Sequence, residues 1–240
     1  MRFIITAIAA TLLLGAAFAE RRIAPIRPYG PVVVTFPDAS DDAQLDAFRA
    51  ELAKVARARV YAGLARLTVA QGFFWDRDFA KAFDTRKAGV DNLAAALRLE
   101  HEGGAGWVAL ARLAGETRML ELESRPGVVC APAPARFDSI AFDRLIADTR
   151  TKADDWAYTR EADVAVRAAP RTEAAALEIL GQHFVRVLER SDDWTKVVAP
   201  GGTVDFVAPA TLRRLEPARL CYGKDPTGRW QIAGFIGRGD

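Results

Sequence analysis

The sequence has few of the residues that support metal or thiol chemistry. Its 240 residues include two cysteines, two histidines and two methionines. His101 and His183 stand far from each other and from Cys130 and Cys221, without the spacing of metal ligands. None of the four lies in the sequence context of a nucleophile with its general base. We therefore expect no metal, no cofactor and no catalytic thiol.

An excess of one charge is also missing, since 33 lysines and arginines oppose 31 aspartates and glutamates. A dedicated nucleic-acid-binding protein shows a clear basic excess, so we expect no nucleic-acid partner. From Arg21 onward, no uncharged stretch exceeds ten residues. A helix that spans a bilayer needs about 20 apolar residues. The sequence therefore predicts no membrane span after its first segment.

That first segment has the pattern of a targeting sequence. Arg2 precedes an apolar run, and the small residues Ala17 and Ala19 follow at the positions that a signal peptidase reads. We expect a secretory signal peptide over residues 1–19, cleaved between Ala19 and Glu20. The mature protein would then work in the periplasm or outside the cell. An uncleaved membrane anchor is the alternative interpretation.

Export changes how the two cysteines are interpreted. An even number of cysteines in an oxidising compartment indicates a disulfide between Cys130 and Cys221. The competing interpretation is a reactive thiol at Cys130. Pro132 and Pro134 disfavour it, because they argue against the helix N-terminus that would lower a thiol pKa.

Proline and hydrophobic periodicity divide the rest of the chain. Residues 20–39 hold four prolines and predict an extended arm, although the central PVVVTF could add a strand. From there the apolar residues recur at helical spacing, which predicts a helical domain of four to five short helices over 40–151. Ser40 or Asp41 is expected to cap its first helix. The aromatic-rich run at 73–83 is expected in the core, with a ligand platform as the alternative.

The periodicity changes after Trp156. Short runs with strand composition begin at Val164, His183, Trp194 and Thr203, and turn signals separate them. Two final runs, joined by Asp-Pro-Thr-Gly, predict a β-hairpin. Many short strands at this spacing are typical of a small β-barrel.

The order of these runs resembles the bacterial type of Src-homology-3-like domain. Asp205 stands where such domains usually have a glycine before the aromatic residue. The elements that carry the resemblance are the V-x-V-R-x-x-P element Val164–Pro170, Val185–Leu188, the W-x-K-V strand Trp194–Val197, the turn Pro200–Gly202 and the strand Asp205–Val207.

The resemblance implies an exported bacterial protein with an α+β fold. Its parts would be a helical N-terminal domain, a Src-homology-3-like β-barrel over 156–215 and a hairpin extension over 216–240. We expect the hairpin to pack on the barrel. The pairing of Cys221 on the hairpin with Cys130 would then clamp the two domains together.

The resemblance also implies a non-catalytic role in the cell envelope, in which an aromatic-lined groove binds peptidoglycan peptide or a protein partner. The barrel core is the competing location for Trp194 and Phe206. Four cations could attract an acidic peptide stem, with a solvated face as the alternative, namely Arg167, Arg186, Arg190 and Lys196. The candidate ligand-binding residues are Trp194, Tyr158, Trp156, Phe206 and Arg186.

Two alternatives to this function stay open. One is a purely structural scaffold that binds no small ligand. The other is a cell-wall hydrolase in the helical domain, which would need a carboxylate pair. The available carboxylates there include Glu51, Asp76, Asp78, Glu100 and Glu102.

Overall fold

The computed structural model describes residues 26–77, 82–191 and 193–237. The predicted signal peptide and its cleavage site at Ala19 and Glu20 lie outside these residues. The described chain has a mixed α+β fold with five α-helices and two β-sheets, as the sequence predicts at this level. No helix within the described ranges is long and apolar enough to cross a membrane.

The element bounds are as follows. The helices are α1 (Ala43–Ala58), α2 (Tyr61–Leu67), α3 (Gly89–Leu97), α4 (Ala105–Ala114) and α5 (Ser139–Thr149). The strands are β1 (Phe74–Asp76), β2 (Leu120–Glu121), β3 (Val129–Ala131), β4 (Trp156–Thr159), β5 (Val164–Arg167), β6 (Ala176–Leu180), β7 (Phe184–Arg190), β8 (Thr195–Val198), β9 (Val204–Val207), β10 (Leu212–Arg214), β11 (Arg219–Lys224) and β12 (Trp230–Ile236).

Helix α1 is capped one residue later than the sequence predicts. The Asp42 carboxylate accepts hydrogen bonds from the backbone N–H groups of Gln44 and Leu45, both at 2.9 Å. These groups have no partner inside the helix, so a carboxylate at the N-cap stabilises the first turn. The proposed caps at Ser40 and Asp41 are therefore wrong, because the helix begins directly after Asp42.

The first of two structural units, here called the first unit, forms around a five-stranded sheet in the order β1-β12-β11-β3-β2. Helices α1 to α4 cover this sheet, and one apolar core joins Leu52, Leu93 and Leu110 to Tyr222 and Phe235 on the hairpin strands. The expectation of a purely helical domain over 40–151 is wrong, because this core needs a sheet as its second layer. The aromatic run does supply core residues, as predicted, including Phe73 and Trp75.

The C-terminal hairpin β11–β12 belongs to the first unit. Strand β11 pairs antiparallel with β3, and β12 pairs parallel with β1. The expected extension over 216–240 that packs on the barrel is therefore wrong. The physical reason is burial: one face of each hairpin strand fills the core under the four helices.

Helices α3 and α4 approach each other closely at Gly106. This residue is buried in the first turn of α4, and a Cβ atom added there would clash with the Leu97 carbonyl oxygen at the end of α3. Gly104 precedes the helix as its N-cap, with φ of 70°. The glycine-rich stretch between these helices is thus a packing contact as well as a connection.

We expect Gly106→Ala to lower the free energy of unfolding by about 1–3 kcal/mol, because the backbone oxygen of Leu97 has to move. Alanine favours a helix over glycine by about 1 kcal/mol, so propensity alone predicts the opposite sign. Urea denaturation measures the difference. Gly30→Ala is the matched control, since nothing lies within 4 Å of its added Cβ. A stabilised Gly106→Ala protein would contradict the close approach.

The second unit forms around a seven-stranded sheet in the order β10-β4-β7-β8-β9-β5-β6. The hydrogen-bonded order is open, so the described strands form no closed barrel. The sheet nevertheless curls around one core. Leu212 on the edge strand β10 and Leu180 on the edge strand β6 belong to the same buried cluster as Val185 and Val197 in the middle of the sheet.

The described part of the proline-rich arm packs on the outer face of this second sheet. Val32 and Val34 are buried there with Phe142 of α5. The Tyr29 hydroxyl donates to the Val198 carbonyl at 2.7 Å, and burial raises the pKa of Tyr29. The arm is extended, as predicted, but it forms part of the second unit, and so does α5. Residues 40–151 therefore do not form one separate domain.

Helix α5 and strands β4 to β10 of the second unit are inserted into the first, because they lie in sequence between the neighbouring strands β3 and β11, whereas the arm precedes α1. The Cys130–Cys221 disulfide closes the base of this insertion, with 91 residues of sequence separation. Its two cysteines are directly opposite each other in the β3–β11 ladder and fully buried. The predicted pairing is present, whereas the expected clamp between two domains is wrong: the bond lies inside the first unit.

A buried carboxylate joins the two units. Glu116, just after α4, is 8% exposed and accepts hydrogen bonds from Arg160 at 3.1 and 3.2 Å and from Arg213 at 2.5 Å. Both arginines belong to the second unit. On the other side, Arg49 of α1 donates to the Glu116 backbone carbonyl. Three guanidinium groups therefore meet around one residue at the contact between the units.

Candidate functional site

A groove of about 310 Å³ opens on the second unit, beside the turn between β7 and β8. It contains two of the predicted ligand-binding residues and no residue of the first unit. The lining residues are Pro170, Glu189, Ser191, Asp193, Trp194, Lys196 and Phe206.

The strand register places the groove residues side by side. Lys196 on β8 is directly opposite Phe206 on β9, and Glu189 on β7 is directly opposite Lys196. Successive side chains on a strand point to opposite faces, so the neighbours Val197 and Val207 enter the core. Lys196 and Phe206 consequently face outward, with the Lys196 ammonium 5.9 Å from the centre of the Phe206 ring.

Trp194 is held in place by its turn. The Ser191 hydroxyl accepts from the Trp194 backbone N–H at 3.1 Å and donates to the Trp194 carbonyl at 2.8 Å. The Ser191 backbone N–H donates to the same carbonyl at 2.9 Å. These contacts fix the backbone of Trp194, whose half-buried indole lines the groove.

The groove combines apolar surface with charges of both signs. Pro170, Trp194 and Phe206 supply the apolar part, while Glu189 and Asp193 bring carboxylates to a site that also holds Lys196. Such a surface can hold a short extended chain that carries both ammonium and carboxylate groups. Proline and aromatic side chains present large contact area with few rotatable bonds, so they lose little entropy on binding.

The described lining of the groove holds no pair of a nucleophile and a histidine base. It contains no histidine and no cysteine, and its hydroxyl at Ser191 is engaged with the backbone. Within the described ranges, no three His, Cys, Asp or Glu side chains gather as metal ligands. The arrangement can therefore bind a ligand, but it offers no nucleophile with a general base.

The structure places the other predicted ligand-binding residues elsewhere. Trp156 is 1% exposed and Tyr158 is 0% exposed, so neither can line an open groove. The Trp156 indole N–H donates to the Thr151 hydroxyl at 2.7 Å, which satisfies it inside the core. Arg186 is also buried. The physical reason is that the arm and α5 cover the outer face of β4 and β7, which the sequence pattern leaves unassigned.

Four groove residues were not predicted from the sequence, namely Pro170, Glu189, Ser191 and Asp193. Pro170 ends the V-x-V-R-x-x-P element, and Glu189 and Asp193 flank the hairpin turn before Trp194. Glu189 and Asp193 could have been found from their closeness to that turn in sequence, because residues on both sides of a hairpin turn lie at the same end of the sheet.

The carboxylates considered for a hydrolase do not form a site in the described chain. Glu51, Glu100 and Glu102 are exposed, and Asp76 lies in β1. Asp78 lies outside the described residues. The buried acid among the described residues, Glu116, faces Arg160 and Arg213 instead of the second carboxylate that such a reaction requires.

No family model, no curated protein and no solved structure matches this chain, so its function has to be inferred from its own residues.

Proposed function

We propose that this protein is a non-catalytic component of the cell envelope whose groove at Trp194 and Phe206 binds the peptide part of peptidoglycan. The second unit would be a variant of the Src-homology-3-like barrel. The curling of its open sheet around one core supports that assignment, since strands at both edges contribute to the same cluster.

The observation that carries the proposal is the outward direction of the aromatic groove. A strand residue that only stabilises the fold faces the core, as Val197 and Val207 do. Trp194 and Phe206 instead line an open groove with Lys196 and two carboxylates. Aromatic-lined grooves bind extended peptides in several families of small β-domains.

The charges of the groove favour the peptide stem of peptidoglycan as the ligand. Such stems are short and extended, and they carry free carboxylates together with the amine of a diamino acid. Lys196 would receive a carboxylate of the stem, and Glu189 or Asp193 would receive its ammonium group. Charge-assisted hydrogen bonds of this kind are roughly twice as strong as neutral ones.

We expect the mature protein to sediment with purified peptidoglycan sacculi in a saturable manner. Trp194→Ala should weaken this binding about thirtyfold or more, because a central aromatic anchor contributes about 2 kcal/mol or more. Ile140→Ala is the matched control, since Ile140 is 71% exposed on α5 and lies outside the groove. Circular dichroism of both variants checks that the fold is retained.

Equal sedimentation of Trp194→Ala and wild type would exclude the groove as the binding site. A folded protein that does not sediment at all would contradict peptidoglycan binding and favour the scaffold role. Release of soluble fragments from the same sacculi would contradict a non-catalytic role.

A further inference from the structure

A second cavity, of about 500 Å³, lies on the first unit, away from the groove. It is enclosed by the start of α1, the end of α2 and the turn of the β11–β12 hairpin. Its lining residues are Gln44, Phe48, Arg66, Leu67, Thr227, Gly228, Arg229, Trp230 and Gln231. Cavities that bind small molecules commonly measure about 300–1,000 Å³, so its size is sufficient for a sugar ring or two.

The aromatic side chains of this cavity are held rigidly. Phe48 packs edge to face on the buried Tyr222, with ring centres 5.9 Å apart. The Lys224 ammonium lies 4.7 Å from the centre of the Trp230 ring and 3.6 Å from an Asp42 carboxylate oxygen. The backbone N–H of Leu45, first, and the charge of Lys224 lower the pKa of Asp42.

The hairpin turn is equally well ordered. The Asp225 carboxylate accepts from the Thr227 hydroxyl at 2.6 Å, from the Thr227 backbone N–H at 2.8 Å and from the Arg229 backbone N–H at 3.0 Å. These contacts, the Thr227 hydroxyl first, lower the pKa of Asp225 to about 2. Arg229 forms a salt bridge with the same carboxylate at 3.0 Å, so its charge is compensated.

Three other lining side chains have unused hydrogen-bonding capacity. Arg66 is exposed and forms no salt bridge or hydrogen bond with any residue that the structure describes. The side-chain amides of Gln44 and Gln231 likewise have no partner among the described residues. Each amide can both donate and accept, whereas Arg66 offers a planar fork of N–H donors. An uncompensated cation and two free amides therefore surround the aromatic floor.

We propose that this cavity binds a sugar ring that carries one carboxylate. Phe48 and Trp230 supply aromatic surface that suits the C–H face of a pyranose ring. Because the Lys224 ammonium lies over one face of the Trp230 ring, a sugar would contact the other face. The amides of Gln44 and Gln231 can pair with ring hydroxyls in either direction. Arg66 matches the carboxylate in a two-pronged hydrogen bond, which a guanidinium forms better than an ammonium does. The lactyl-bearing amino sugar of peptidoglycan and the uronic acids of surface polysaccharides share this chemistry.

Isothermal titration of the full mature protein tests the proposal with three sugars. We expect N-acetylmuramic acid to bind more tightly than N-acetylglucosamine, which lacks the carboxylate. Arg66→Gln should weaken the binding of N-acetylmuramic acid roughly tenfold and leave the neutral sugar unchanged, because one charge-assisted contact is lost. Arg57→Gln is the matched control, since Arg57 is an exposed cation of α1 outside the cavity. Glucuronic acid as the third probe distinguishes the two sources of the carboxylate.

Binding of both acidic sugars would support a general site for acidic sugars, and binding of N-acetylmuramic acid alone would support a peptidoglycan source. Equal affinity of Arg66→Gln and wild type for N-acetylmuramic acid would overturn the proposal, and so would equal affinity of wild type for the acidic and neutral sugars. Because Arg66 and Trp194 lie in different units, Trp194→Ala should leave these titrations unchanged. Failure of the peptide groove and failure of the sugar site are therefore distinguishable.

Discussion

Glu116→Gln is expected to lower the free energy of unfolding by about 3 kcal/mol and the Tm by about 6–12 °C. The substitution removes the one carboxylate that faces Arg160 and Arg213, and it leaves two guanidinium groups in a poorly hydrated contact between the units. Breaking a buried ion pair commonly costs about 3–5 kcal/mol of unfolding free energy. We expect a value at the lower end of this range, because the Arg160 side chain is 31% exposed and stays partly hydrated.

Chemical denaturation of Glu116→Gln and of the control Glu51→Gln compares the loss of a buried ion pair with the loss of an exposed one. Glu51 pairs with Lys54 at 3.9 Å on the surface of α1, with both side chains exposed, so its loss should cost less than about 1 kcal/mol. Two transitions in the Glu116→Gln protein would mean that the units have become independent. Equal stability of the two variants would show that Glu116 does not hold the units together.

Removal of the disulfide is the second change with a large expected effect. The double variant Cys130→Ala/Cys221→Ala should lose about 4 kcal/mol of unfolding free energy, since the bond closes a loop of 91 residues in the unfolded chain. Because disulfides often contribute less than this model gives, we expect a decrease in Tm of several degrees and not the full decrease that about 4 kcal/mol implies. Alanine suits the test because both positions are fully buried and a serine hydroxyl would lack a partner.

Reductant supplies the internal control for this prediction. Wild-type protein with its disulfide reduced should melt close to the double variant, and the double variant should not respond to reductant. A Tm shift below about one degree in the double variant would contradict a stabilising disulfide. The seven-stranded sheet, whose strands lie in sequence between the two cysteines, should be kept in the variant, because among the described strands β4 to β10 pair only with each other.

Much of the local structure follows from short-range signals. Helix α5, one of the short helices expected over 40–151, begins directly after Asp138, whose carboxylate accepts from the Ala141 backbone N–H at 3.0 Å. The strands that begin near Val164, Trp194 and Thr203 are present, because β-branched runs between turn residues leave few other local structures. Part of the groove was predicted as well, since Trp194 and Phe206 are two of its seven lining residues.

The sequence by itself determined the helices and most strands, because caps and hydrophobic periodicity depend on residues a few positions apart. It also determined the cysteine pairing, because the chain has only two cysteines. Only the tertiary structure decided which strands are neighbours. A hairpin strand can pair with any free sheet edge. Strand β11 pairs with β3, although strands β4 to β10 lie between them in sequence, because this pairing buries the core residues of the hairpin, and no local pattern encodes that burial. The burial of Trp156 and Tyr158 was likewise decided by tertiary structure. The pattern of their strand does not show what covers it, and both side chains are core residues because they pack with Val34 and Phe142.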